Sequence, residues 1–218
     1  MIMSVHVIGS GRVGSAVGAR LRERGVAVGS SEPDIVLLCV PDTAIADTAR
    51  GLTPGDAWIG HVSGATPLAA LAPHERRFSV HPLQTFDRSG DPRQLDGAWG
   101  AVTGETGEAL AVARELAEIL GLRPFELAES HRTLYHAGAV FASNYLVTLQ
   151  RAAVRLGVPA EGLVPLMTRT IENGFELTGP IARGDWATVD AHKRAIHEAN
   201  PELEDVYSAL ADATAAIP

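Results

Sequence analysis

The residues able to carry chemistry gather where strands are expected to end. Ser63 follows an apolar run at residues 57–62, and His81 follows another at residues 77–80. An imidazole there can move a proton near neutral pH, and a neighbouring hydroxyl can hold the oxygen concerned. Taken alone, His81 is more simply a turn residue held by Pro82. His61, on the same strand face as Ser63, reads equally as a buried hydrogen-bonded histidine. A long helical stretch puts His136, Ser143, Asn144 and Val147 near one face, since seven residues make about two turns. Serine and asparagine are mediocre helix formers, so contact with a substrate or packing against another helix would each account for them. In the run Leu177-Thr178-Gly179-Pro180-Ile181-Ala182-Arg183-Gly184-Asp185, the Arg183 fork suits a carboxylate or a surface ion pair, and Asp185 reads as a helix cap. No His, Cys and acid set has metal-ligand spacing.

A second kind of site lies at the start of the chain. The apolar run Ser4-Val5-His6-Val7-Ile8 leads into Gly9-Ser10-Gly11-Arg12-Val13-Gly14 and then into a helical pattern. Strand, G-x-G-x-x-G and helix in this order form the dinucleotide-binding fingerprint. Gly9 would allow the tight turn, Gly11 the approach of a pyrophosphate, and Gly14 close packing of helix on strand. The free N–H groups of the helix start would then face an anion. Val40-Pro41-Asp42, at the end of the next buried strand, would border the same ligand.

The usual continuation is missing. An acid for the cofactor ribose is expected about 20 residues after the glycines, yet residues 26–33 alone separate the first helix from the buried strand at 34–40. Four extended residues reach about 13–14 Å, whereas a five-residue strand is already about 17 Å long. Residues 26–33 are therefore expected to be a plain connection. The first strand should pair directly with residues 36–40, no second strand should flank it, and dinucleotide binding should be weak.

The 218 residues are 46% hydrophobic and 20% charged, enough to fold without disorder. A net charge of −8 with no basic run argues against nucleic acid or an anionic membrane as partner. No apolar run approaches the ~20 residues of a membrane span, the first strand leaves no room for a signal peptide, and the single cysteine, Cys39, reads as a small buried hydrophobe. A cytoplasmic protein is expected. Helix and strand alternate to residue 128, implying a mostly parallel sheet with helices on both faces. Residues 129–218 read as helices only, at about 131–156, 161–177, 185–199 and from 201 onward. The expected fold is α/β: a sheet domain over 1–128 and an all-α domain over 129–218.

Several motifs occur together in order: the glycine loop, Val40-Pro41-Asp42, Ser63-Gly64-Ala65, Ser79-Val80-His81-Pro82-Leu83-Gln84-Thr85-Phe86, Ala142-Ser143-Asn144-Tyr145-Leu146 and the run from Leu177 to Asp185. Together they resemble a bacterial family in which a Rossmann-like domain precedes domain of unknown function 2520. That family looks like a branch of the 6-phosphogluconate dehydrogenase-like superfamily, beside ketopantoate, pyrroline-5-carboxylate and prephenate reductases or dehydrogenases. The resemblance implies a Rossmann-like domain, from which the short connection at residues 26–33 departs by making it an abbreviated one, and NADP- or NAD-linked hydride transfer on a small carboxylate-bearing keto or hydroxy acid or imine. It also implies a helical domain that pairs subunits into a homodimer.

By the same resemblance Ser63 and His81 would contact the reacting oxygen. Asn144, Ser143 and Arg183 would orient the carboxylate. Related branches carry a lysine one turn before the asparagine. Here Val140 and Phe141 stand there, and Lys193 is the only lysine, so proton transfer falls to His81 or His136. Two alternatives are a deazaflavin as cofactor and a non-catalytic sensor of small anions or nucleotides that has lost the adenosine half-site.

Overall fold

A computed structural model describes residues 1–217, which form two compact units that divide between Val140 and Phe141. In the first, β1 (Ser4–Ile8), α1 (Arg12–Glu23), β2 (Ala27–Val28), β3 (Ile35–Leu38), α2 (Asp42–Arg50), β4 (Trp58–His61), β5 (Arg77–Pro82), β6 (Trp99–Gly104), α3 (Gly107–Ile119) and β7 (Arg123–Glu126) follow one another. A 3₁₀ turn, Glu129–His131, then leads into α4 (Arg132–Ala142). The strands make one sheet in the order β2-β1-β3-β4-β5-β6-β7. All neighbours pair parallel except β5 with β6. The carboxyl ends of β1, β3, β4 and β5 therefore share one edge, where open parallel sheets bind ligands.

Both faces of the sheet are covered, as strands buried on two sides require. On one face Val17 and Leu21 of α1 and Ala113 and Leu116 of α3 pack over Val5, Ile35, Leu37, Phe78 and Val80. On the other, Ile45 and Ala49 of α2, with Leu68 and Leu71, pack over Leu38 and Ile59. Strand alternation then decides which residues can meet. Phe78 and Val80 point toward α1 and α3, so Ser79 and His81 point to the opposite face, as do Ile59 and His61.

β3 pairs directly with β1, as expected, but a second strand is present after all. Ala27 and Val28 pair in parallel with Ser4 and Val5. The distance argument assumed a strand of ordinary length. With two residues, β2 stays level with the amino end of β1, and Ile35 is also registered on Val5. The chain therefore crosses two strand spacings sideways, about 10 Å, instead of returning along the sheet. Among the described residues, no helix joins β2 to β3.

The second unit holds α5 (Asn144–Arg155), α6 (Ala160–Glu172), α7 (Trp186–Ala199) and α8 (Glu204–Ala215). The expected single helix over 131–156 is broken. Ser143, at φ −116° and ψ −69°, interrupts it, and its hydroxyl donates to Asn144 Oδ1 at 3.0 Å. The expected helix over 161–177 stops at Glu172, because Gly174 and Phe175 adopt φ of 70° and 61°. Asp185 caps α7 as expected, accepting from Thr188 N–H and Oγ1. The division expected at residue 128 falls at 140 instead, because the side chains at the start of α4 are tied into the sheet. Among the described residues, no helix is long and apolar enough to cross a membrane.

Candidate active site

The glycine loop has the geometry its spacing predicts. Gly9 sits at φ +114°, and a Cβ there would lie 2.3 Å from the Cys39 carbonyl oxygen. A Cβ on Gly14 would lie 2.1 Å from the Gly9 carbonyl oxygen. These two glycines let α1 and β3 close on the turn. Gly11 differs: a Cβ there would meet nothing within 4 Å, so its bareness leaves room instead of permitting packing. Gly11 also caps α1 with no side-chain bond, and no acid stands in the first turn. The orphan N–H groups of the helix start thus face open space beside an exposed Arg12. Val13 packs inward on the core and the Ser10 carbonyl accepts from Ser15 Oγ. A nicotinamide dinucleotide's diphosphate fits this cradle. Pro41 and Asp42 begin α2 after Val40 on the same edge.

The second half of the site is built on β4, β5 and α4. Arg132 is buried and lies among acceptors. Its guanidinium donates to Ser79 Oγ at 2.8 Å, to the Ser63 carbonyl at 3.3 Å, and to Glu129 Oε2 at 2.8 and 3.0 Å. Glu129 Oε1 also accepts from Leu68 N–H at 2.8 Å. One turn along α4, Tyr135 Oη lies 2.7 Å from His81 Nδ1, and the rings meet edge-on. His136 faces His81 with centroids 6.3 Å apart. The spacing i, i+3 on α4 thus matches j, j+2 on β5, with Arg132 on Ser79 and Tyr135 on His81. Gly64 makes room for both imidazoles. A Cβ there would lie 2.8 Å from His81 Cε1, 2.9 Å from Nε2 and 3.0 Å from His136 Cδ2.

Burial keeps His81 and His61 neutral. Burial, then His136 and Arg132, pull His81 down to about 4, against an opposing pull from Asp42. Burial, then Arg132 and His81, pull His61 down to about 3. Burial pushes the Tyr135 phenol up to about 12, with Arg132 opposing. His61 is fully buried, and its Nδ1 accepts from Ser63 N–H at 3.2 Å. That bond assigns the proton to Nε2, which has no partner among the described residues, so His61 is part of the support beneath the site.

Ser63 departs from expectation. Its hydroxyl donates to Thr66 Oγ1 at 3.0 Å and accepts from Ala65 and Thr66 N–H at 3.2 and 2.9 Å. It builds the turn that presents Gly64 and has no capacity left for a reacting oxygen. The shared helix face expected for His136, Ser143 and Asn144 is lost with the break at Ser143. Ser143, Asn144 and Arg183 belong to the second unit, and the cluster around His81 forms without them. Glu129, Arg132 and Tyr135 escaped the sequence reading. The signal available was Arg132, Tyr135 and His136 at i, i+3 and i+4.

A parallel sheet with a bare glycine-loop helix start and a histidine cluster along one edge defines a Rossmann-like fold. Within it, the chain belongs to the domain of unknown function 2520 family, whose profile matches residues 98–214. Three solved structures show the same fold. A candidate NADP oxidoreductase from Bacteroides fragilis has a TM-score of 0.81 at 20% identity, over 98% of each chain. The pyrroline-5-carboxylate reductase of Streptococcus pyogenes gives 0.58 at 18%, over 98% of this chain and 96% of that one. Prephenate dehydrogenase from Aquifex aeolicus gives 0.58 at 15%, over 98% of each. No curated protein matches the sequence.

Proposed function

We propose that the chain is an NADP-linked oxidoreductase acting on a small carboxylate-bearing keto acid or imine, or the corresponding alcohol or amine. The observation that carries this is the bare Gly11 helix start on the sheet edge that also presents His81. The first unit thus offers a diphosphate cradle and a proton-handling group at strand ends on one sheet edge, with Asp42 acting electrostatically on His81. The Bacteroides fragilis relative, an NADP oxidoreductase candidate, favours the same cofactor.

A bound nicotinamide would supply or accept the hydride. The chain's own residues do the rest. Main-chain N–H groups after Gly11, together with Arg12, neutralise the diphosphate, and Val40 and Pro41 line its approach. His81 Nε2 holds the proton at the reacting oxygen or nitrogen, with His136 beside it. Ser63 shapes the Gly64 turn, and Arg132 fixes the start of α4 against β5. Calorimetric titration with NADPH and NADH, followed by turnover assays on small keto acids and cyclic imines, tests the reading. Ligand stabilisation with no turnover on any of them would favour the sensor.

The helical unit works as part of a homodimer. Of its described residues only Leu163, Val189, Ile196 and Ala211 are buried, while Phe141 and Phe175 are 70% and 72% exposed, and Val164, Leu166 and Ile171 also face outward. A segment of this size with so little core is not stable unaided. A second copy of the same apolar surface is the self-complementary cover that two-fold symmetry provides. Light scattering on the purified chain is expected to give twice the 22.9 kDa chain mass at micromolar concentration. A monodisperse monomer with full helical content would contradict it.

A further inference from the structure

We propose that Tyr135 is the positioning residue behind His81: its hydroxyl donates to Nδ1, holds the imidazole as the Nε2–H tautomer, and replaces the proton that Nε2 gives away. This rests on the oxidoreductase reading in its reductive direction.

The arrangement leaves Tyr135 little choice. Its oxygen lies 2.7 Å from His81 Nδ1, the acceptor it reaches among the described residues. A phenol carries one proton, and burial holds that proton on the oxygen. The contact is fixed from below. Arg132, one turn earlier on α4, is pinned by Glu129, Ser79 and Ser63, so Tyr135 cannot slide along β5. Gly64 closes on the other side of the ring, near Cε1 and Nε2.

The chemistry explains why such a partner is needed. His81 is held neutral by burial and by Arg132 and His136. A neutral imidazole that gave up its Nε2 proton alone would be left as an anion. With Tyr135 behind it, two protons move in one direction. The substrate carbon takes a hydride, with its electron pair, from reduced nicotinamide. The π pair of the C=O or C=N bond moves to the heteroatom, which takes the Nε2 proton. The Tyr135 O–H bond breaks as Nδ1–H forms. The imidazole ends neutral with its proton on Nδ1, and the negative charge rests on the Tyr135 oxygen, where the Arg132 charge favours it. Solvent restores the phenol, because Tyr135 is only half-buried.

The test needs no substrate. Imidazole nitrogen resonances of the ¹⁵N-labelled full chain are recorded at neutral pH, with His81→Asn identifying the His81 pair. The expected spectrum has Nε2 protonated and Nδ1 unprotonated, and Tyr135→Phe, which keeps the ring, moves both signals toward a tautomer mixture. A protonated Nδ1 in the parent chain, or His81 signals indifferent to Tyr135→Phe in a variant with an unchanged melting curve, would overturn the proposal. Once a substrate is in hand, Tyr135→Phe is expected to lower kcat about tenfold or more with KM nearly unchanged. An unchanged kcat would overturn the proton supply. Absence of turnover in the parent chain counts against the oxidoreductase reading, and the spectra decide the tautomer separately.

Discussion

His81→Asn is expected to lower turnover about a hundredfold or more while NADPH affinity stays within about twofold. The effect is large because His81 is the titratable group that both contacts Tyr135 and borders Gly64 at the sheet edge. The cofactor cradle is unaffected because it is built from Gly9, Gly11 and Gly14 at β1 and α1, with β3 and β4 between β1 and β5. Asparagine keeps a polar atom toward Tyr135, so the loss reports on the imidazole and not on packing. The informative comparison is His136→Asn. If that variant is dead and His81→Asn is fully active, the proton is handled by His136 and the role given to His81 is wrong.

Stability should fall steeply with acid well before ordinary carboxylates titrate. His61 and His81 have folded values of about 3 and 4 against an unfolded value of 6.5. Between these limits the unfolded chain binds more protons than the folded one, so stability rises with pH. The contribution is complete above about pH 6.5 and is lost as pH falls toward 4 for His81 and 3 for His61. The groups facing His81 are Asp42 from α2, His61 from β4, and Arg132, Tyr135 and His136 from α4. Of these, Asp42 favours the charged imidazole. At ~1.4 kcal/mol per unit, the two histidines together amount to several kcal/mol, a large share of the ~5–15 kcal/mol typical of a domain. Urea midpoints measured from neutral pH down to about pH 4.5 should drop continuously. The slope should shrink in His81→Asn. A flat profile over that range would contradict the burial of neutral imidazoles beneath α4.

What the sequence shows of this site follows from where physical constraint is local. Gly9 and Gly14 are legible because no other residue tolerates those backbone approaches, and His81 because a polar residue after an apolar run marks a strand end. The two-residue β2 was hidden because a strand that short has no periodicity, and the distance argument presumed ordinary length. Arg132 and Glu129 look like any solvated i, i+3 pair until the strand opposite them is known. Tyr135 reaches His81 only because a helix turn and a strand pair happen to match across 54 residues of chain. The break at Ser143 is a local change of backbone angles that leaves the apolar pattern intact.

The central claim is that the helix start at Gly11 holds a dinucleotide diphosphate, and the most direct test is calorimetric titration of NADPH into the parent chain and Gly11→Thr. Gly11 has φ −71° and ψ −171°, which any residue adopts, and a Cβ there meets nothing. Threonine is also an adequate N-cap, so the variant should melt at the parent temperature. The account predicts binding to the parent chain at roughly tens of micromolar, in keeping with the two-residue β2, and at least about tenfold weaker binding to Gly11→Thr. Equal binding to both chains, or none to the parent, would contradict it.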